Sequence, residues 1–396
     1  MIAATMRGAF LIAVASLLIA CSAAERLRSL RPTSATAHER YAQSLVDAGL
    51  DSTALGRDWL AASDSAIRAP LEARLPAREV GVYSRVEARA VAYRVSLRDG
   101  QRLVTTLETE GLPALLYLDL YEITGDSVRP FIHRATADTA AARSGIGRRV
   151  SLAYEATRDA DFVLRMQPEL LRGGRFELTL EAEPSLLFPV DGRGNGAIQS
   201  FFGVDRDGGR RVHHGIDIFA PRGTPVLAAA DGVVRSVSPN NLGGNVVWLN
   251  DERRNQSLYY AHLDSHAVRA GQRVRVGDTL GFVGNTGNAR TTAPHLHFGI
   301  YRRGRGPIDP LAHVRLIAAE PPPILADTAR LGQPGLTRIA NATLRDAPHA
   351  SSSPLRELPN ATAVQIMAAS DRWYRVQCED GTAGYLIAGA LRVVEN

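Results

Sequence analysis

Three short runs hold the residues best suited to chemistry: His213, His214, Gly215, Ile216, Asp217; then Tyr260, Ala261, His262, Leu263; then His295, Leu296, His297, Phe298. Five of the seven histidines between residues 201 and 320 fall in these runs. A lone histidine is ordinarily a satisfied core or surface residue, but three such clusters in order along the chain point to a shared task. Imidazole and carboxylate are ordinary zinc ligands, and a catalytic site needs three of them with a fourth position left open. On an extended chain, side chains two or four apart share a face. That alternation puts His213 with Asp217 and His295 with His297, turns Leu296 and Phe298 toward a core, and sends His214 away from His213. The expected ligands are therefore His213, Asp217 and His297, with His262 and His295 beside them as unligated catalytic groups. An ion held this way brings the ionisation of water near neutral pH and suits hydrolysis of an amide. A competing pair, His262 and His266, would require a helix and a Glu at 263, where the chain has Leu263.

In order and spacing, H-x-G-x-D at 213–217, Y-A-H-L at 260–263 and H-L-H-F at 295–298 resemble the lysostaphin-type (LytM-like) zinc metalloendopeptidases. The turns at Gly223, Thr224, Pro225, Val226, at Ala230, Asp231, Gly232 and between Gly277 and Gly287 also look like that family's. The resemblance implies an antiparallel two-layer β domain with its metal in a groove and one Zn2+ per domain. It further implies hydrolysis of peptide cross-links in bacterial peptidoglycan, whose stem peptides are then the partner. Some relatives keep the fold, lose the ligands and instead activate wall amidases. Retention of His213, Asp217, His262, His295 and His297 favours the hydrolase over that regulator; a protease for secreted proteins is the third reading. Gly299 departs from the Glu that many relatives carry after H-L-H-F, with no catalytic consequence expected.

The elements that must position these residues divide the chain. Spacings such as Tyr41 with Leu45 and Leu55 with Trp59, ended by Pro70, predict helix over 35–69 and a helical stalk or linker over 22–79. Period-two runs such as Val91, Tyr93, Val95, Leu97 and Phe176, Leu178, Leu180 predict a β-sandwich over 80–185. Its 100–182 segment loosely resembles jelly-roll pre-peptidase domains. The metallopeptidase unit is expected over 186–318, a Pro-rich linker over 319–335, and a small barrel over 336–396. Leu344, Arg345, Asp346, then Trp373, Tyr374, Arg375, Val376, then Ala383, Gly384, Tyr385 resemble bacterial SH3 domains that bind wall peptides. Trp373 is expected in its core or rim first, and as a ligand platform second. The fold class is thus mainly β and multidomain, with one short helical segment.

At the N-terminus, Arg7, an apolar run from Ala9 to Ala20 and small residues before Cys21 predict an export signal over 1–21. The run is too short to span a bilayer. Leu18, Ile19, Ala20, Cys21 resemble a lipobox, which implies acylation at Cys21, and Ser22 resembles the class sorted to an outer membrane facing the periplasm. The implied partner there is the membrane, reached through a lipid anchor. Cys378 is the only other cysteine, so no disulfide is expected within the lipidated chain, and its alternation with Val376 predicts a buried position. That all 46 basic residues are Arg reads as a bias of genomic composition, and the net charge of +5 lies in no block of like sign, which argues against nucleic-acid binding.

Overall fold

The computed structural model describes residues 35–110, 115–126, 130–137, 148–317 and 320–393. The expected signal peptide and Cys21 lie outside the described residues. Among those described, no helix is long and apolar enough to cross a membrane.

Two helices open the fold. Helix α1 (Ala37–Asp47) starts at a capping box, in which the Thr36 side chain accepts from the Glu39 N–H and the Glu39 carboxylate accepts from the Thr36 N–H. Thr53 caps α2 (Ala54–Arg68) through the Gly56 N–H. The pair is packed rather than free-standing, a correction to the stalk. Leu45 and Trp59 close on Tyr117, the Trp59 indole donates to the Pro168 carbonyl at 2.7 Å, and Ile67 packs on Ala92 and Val163.

Beneath them lies a sandwich of nine strands: β1 (Leu71–Glu72), β2 (Ala77–Tyr83), β3 (Val91–Leu97), β4 (Gln101–Glu110), β5 (Leu116–Ile123), β6 (Phe131–Thr136), β7 (Arg148–Glu155), β8 (Ala160–Pro168) and β9 (Gly174–Pro184). One sheet runs β1-β3-β8-β5-β6, and β2-β9-β4-β7 faces it. Leu103 and Leu107 of β4, Leu118 and Leu120 of β5, and Phe162 and Leu164 of β8 fill the space between at 0–1% exposure. Because the helices cover the outer face of β8, its alternate residues Val163, Arg165 and Gln167 are buried as well. That is why period-two reading of β8 meets polar residues inside: Arg165 is ion-paired with Asp119 and donates to Ser63 at 2.6 Å.

The second unit holds β10 (Ile198–Ser200), β11 (Asp205–Arg206), β12 (Arg211–Val212), β13 (Ile216–Phe219), β14 (Pro225–Leu227), β15 (Gly232–Asn240), β16 (Gly244–Asp251), β17 (Gln256–His266), β18 (Arg273–Val274), β19 (Thr279–Val283), β20 (His295–Arg302) and β21 (Gly306–Ile308). The main sheet is antiparallel and ordered β10-β13-β20-β17-β16-β15-β18; β14 pairs with β19, which joins the end of β17. Ile216, Ile218, Leu258, Tyr260, Leu296, Phe298 and Ile300 form the buried face of β13, β17 and β20 at 0% exposure. The opposite face of the same strands carries the polar residues singled out above.

The last unit comprises β22 (Pro334–Thr337), β23 (Ala342–Arg345), β24 (Pro354–Leu358), β25 (Ala363–Ser370), β26 (Trp373–Cys378), β27 (Ala383–Ile387) and β28 (Leu391–Val393). It is joined to the sandwich rather than hung from a free linker. Strand β25 pairs with β2, Val80 against Ala369 and Gly81 against Ala368, so one sheet runs through both units. The Pro-rich connection is seated from Ile324 onward, with the N–H groups of Leu325 and Ala326 donating to the Asp371 carbonyl. Trp373, 7% exposed, belongs to the sandwich core and is no ligand platform. Cys378 is buried, as its alternation predicts. At the junction the Glu79 carboxylate accepts from Tyr93 at 2.5 Å, Arg375 at 3.0 Å and Tyr385 at 2.7 Å. Burial and the adjacent carboxylate push both phenols well above their ordinary range.

Removing Glu79 would leave the Arg375 guanidinium buried and unpaired. The Glu79→Ala variant is expected to lose roughly 3–5 kcal/mol in denaturant unfolding, whereas a loss within about 0.5 kcal/mol would mean the junction contributes nothing.

Candidate metal centre

The centre is built on the registered pair β13 and β20, where Asp217 lies opposite His297 and Phe219 opposite His295. Alternation along β20 turns His295 and His297 to the groove face while Leu296 and Phe298 enter the core, as the spacing predicts. His213 arrives differently. Residues 213–215 lie between β12 and β13, so a short connection rather than a strand presents His213 over Asp217. His214 is exposed and its ring lies against Phe202. Gly215 makes the connection sterically possible, because a Cβ there would stand 2.4 Å from the Phe298 carbonyl oxygen and 2.8 Å from the His297 ring.

His213 Nε2 lies 3.0 Å from Asp217 Oδ1 and 2.9 Å from His297 Nδ1, and His297 Nδ1 lies 3.0 Å from Asp217 Oδ1. Each atom has a reason to be an acceptor. His213 Nδ1 donates to the Phe201 carbonyl at 2.8 Å, which leaves Nε2 with its lone pair. Burial acts first on His297 and lowers its pKa, favouring the neutral ring. Burial alone would raise the Asp217 pKa, but its close contacts with His213 and His297 outweigh burial and hold the carboxyl ionised.

Three converging lone-pair atoms, nearly equidistant, are what a cation requires; among the described residues this is the one His/Asp group of metal-binding geometry. Tetrahedral zinc with bonds of about 2.0–2.1 Å places its ligand atoms about 3.3 Å apart, so the three would move apart by only a few tenths of an ångström. The donor set therefore fits zinc.

The other two histidines border this triangle. The His295 ring is 5.0 Å from the His262 ring, which is 5.9 Å from that of His297. His295 Nδ1 donates to the Ala293 carbonyl and His262 Nδ1 to the Thr286 carbonyl, each at 2.9 Å, so Nε2 is the acceptor in both. Burial, followed by the nearby His295 and His297, lowers the His262 pKa to about 4, which keeps it neutral at physiological pH. Strict alternation from Tyr259 and Ala261 would turn His262 into the core. Its left-handed backbone, φ 63°, coincides with shifts in register of β17 against both β16 and β19 and re-aims the ring into the groove. The β17 strand also removes the helix that a His262/His266 site would need.

Sequence reasoning missed Arg206. Its guanidinium donates to Asp217 Oδ2 at 2.8 Å and to Ser200 Oγ at 2.5 Å, so it occupies the carboxylate oxygen that faces away from the two imidazoles. Ser200 itself pairs with Asp217 across β10 and β13. No spacing rule marks an arginine on a separate two-stranded ribbon, β11 with β12, as the partner of a ligand eleven residues on.

Residues 211–310 match the profile described as Peptidase family M23. Peptidoglycan DD-endopeptidase ShyC of Vibrio cholerae is 42% identical over 103 residues, 24% of this chain and 22% of that protein. The L-Ala--D-Glu endopeptidase of Bacillus subtilis is 37% identical over 139 residues, 32% of this chain and 42% of that protein. Each match spans less than half of the relative's length. The solved catalytic domain of the antimicrobial peptidase lysostaphin from Staphylococcus simulans aligns at 32% identity over 28% of this chain and 87% of that one, with a TM-score of 0.27.

Replacing Arg206 by Gln is expected to weaken divalent-ion affinity by about 10–100-fold, the usual effect of losing an outer partner of a ligand. Competition with a chelator measures this, and an unchanged affinity would show that Asp217 needs no support.

Proposed function

We propose that the chain is a zinc-dependent endopeptidase that hydrolyses peptide bonds of bacterial peptidoglycan, working at the outer membrane on its periplasmic side and anchored through an acylated Cys21. One observation carries the catalytic part: His213 Nε2, Asp217 Oδ1 and His297 Nδ1 meet within 3.0 Å, with two further imidazoles at their border. The M23 match and the wall endopeptidases among the relatives support the substrate class. The anchor is supported by the lipobox-like run alone.

His213, Asp217 and His297 would hold the ion, which when bound supplies a Lewis acid and lowers the pKa of water. The chain's own residues do the rest. Arg206 and the Phe201 carbonyl fix the orientation of Asp217 and His213. The backbone carbonyls of Thr286 and Ala293 fix the tautomers of His262 and His295, leaving an Nε2 lone pair on each to take a proton from water and return it to the leaving amine. Because burial keeps His262 neutral, its Nε2 lone pair is available at neutral pH without a prior deprotonation. A regulator that activates amidases has no need of this set, so its intact geometry favours the enzyme.

Purified protein is expected to release soluble muropeptides from wall sacculi. Chelation or His297→Ala should abolish release, and added Zn2+ should restore it only in the chelated wild type. His262→Ala and His295→Ala should each lower kcat by about 10²-fold or more while still binding metal. Full activity after exhaustive chelation would remove the zinc mechanism, and zinc binding without any release would favour the regulator.

A further inference from the structure

The groove face continues well beyond the metal centre. In register, Ala261 stands opposite His297, Tyr259 opposite Gly299 and Ser257 opposite Tyr301, with Trp248 beside Tyr259 on β16. The Tyr259 ring meets the His297 ring edge-on at 5.8 Å, and Trp248 lies 4.4 Å from Tyr259 and 5.0 Å from Tyr301. An aromatic floor therefore leads from the ligand His297 across three strands. Gly299 keeps it open: a Cβ there would stand 2.9 Å from the His214 carbonyl oxygen and 3.1 Å from the Tyr301 ring.

This floor ends in a cavity of about 690 Å³ lined by Arg235, Trp248, Asn250, Glu252, Tyr301 and Arg303. Its polar groups are unspent. Among the described residues, the guanidiniums of Arg235 and Arg303, the Trp248 indole N–H, the Tyr301 hydroxyl and the Asn250 amide have no hydrogen-bond or ion-pair partner. Arg302, in the same wall, is by contrast held by both Asp99 carboxylate oxygens at 2.8 and 3.0 Å, so the sandwich fixes this end of the groove. Two free guanidiniums against the single carboxylate of Glu252 give the cavity positive charge, and the remaining free groups are mostly donors. A site of this chemistry takes an acceptor-rich anion that can also lie on aromatic rings.

We infer that the cavity is a substrate subsite that binds a free carboxylate of the peptide, several residues from the bond cut at the metal centre. Tyr301 is four residues from His297 along β20, about 13 Å at the rise of a strand, so the carboxylate sits roughly four extended residues from the scissile bond. This rests on the endopeptidase reading for the placement of the bond, whereas its test reads binding alone.

Of the three tryptophans, Trp59 and Trp373 are 1% and 7% exposed, so a ligand-induced change in fluorescence reports Trp248. The probes are a synthetic alanine-rich pentapeptide with one free glutamyl carboxylate and the same peptide with that carboxyl amidated, titrated into the full chain. The acid is expected to bind roughly tenfold more tightly, with the advantage shrinking as salt is raised. Arg235→Gln with Arg303→Gln should erase the difference and leave the amide's Kd unchanged, while His297→Ala should retain it. Equal binding of the two peptides, an advantage that survives the double variant, or tighter binding of a peptide-free glycan strand would each overturn the subsite. Loss of hydrolysis with the binding difference intact would instead fall on the catalytic reading alone.

Discussion

Two imidazole nitrogens and a carboxylate oxygen meet within about 3 Å of one another, an arrangement that a shared cation satisfies, and the surrounding residues hold it in place. Backbone carbonyls take the outward N–H of His213, His262 and His295, which fixes the tautomers of these three rings. Arg206 takes the outer oxygen of Asp217, so that carboxylate has one direction left in which to be satisfied. Gly215 lets the His297 ring lie where any side chain would displace it.

The neighbouring units are tied to this groove by buried or half-buried ion pairs, not by tethers. Asp99, in a turn of the sandwich, and Glu155, at the end of β7, hold Arg302 and Arg254 of the second unit, and His313 sits at the same seam with its pKa lowered to about 4 by burial. On the other side, Glu79 binds Arg375 and two tyrosines where β2 and β25 share a sheet. The last unit has spent its Trp373 and Tyr385 on the sandwich, Trp373 in its core and Tyr385 on Glu79. The last unit is thus packed on the sandwich, and the sandwich is ion-paired to the far wall of the groove.

How much of this was legible in the sequence follows from how local each determinant is. His295 and His297 could be read from alternation because β20 is a regular strand. His213 meets Asp217, as alternation expects, although His213 lies on a connection, since the turn at Gly215 preserves the side on which it projects. Alternation alone could not place His262, because a left-handed residue breaks the period at that point; only the resemblance of Y-A-H-L to a known motif put it in the groove. Arg206, the packed helices and the joining of the last unit to the sandwich depend on contacts far apart in the chain, to which periodicity is blind. Trp59, for example, reads as one face of a helix and nothing in its neighbours names Tyr117 as the partner.

Which atoms hold the ion is read by X-ray absorption on the zinc-loaded full chain, with wild type compared with the single variants His213→Ala, Asp217→Ala and His297→Ala. One zinc per chain is predicted, with two imidazole nitrogens and one carboxylate oxygen in its first coordination sphere and the loss of one of them in each variant. A spectrum unchanged by any of the three substitutions, or a zinc bound by His262 and His266, would contradict it.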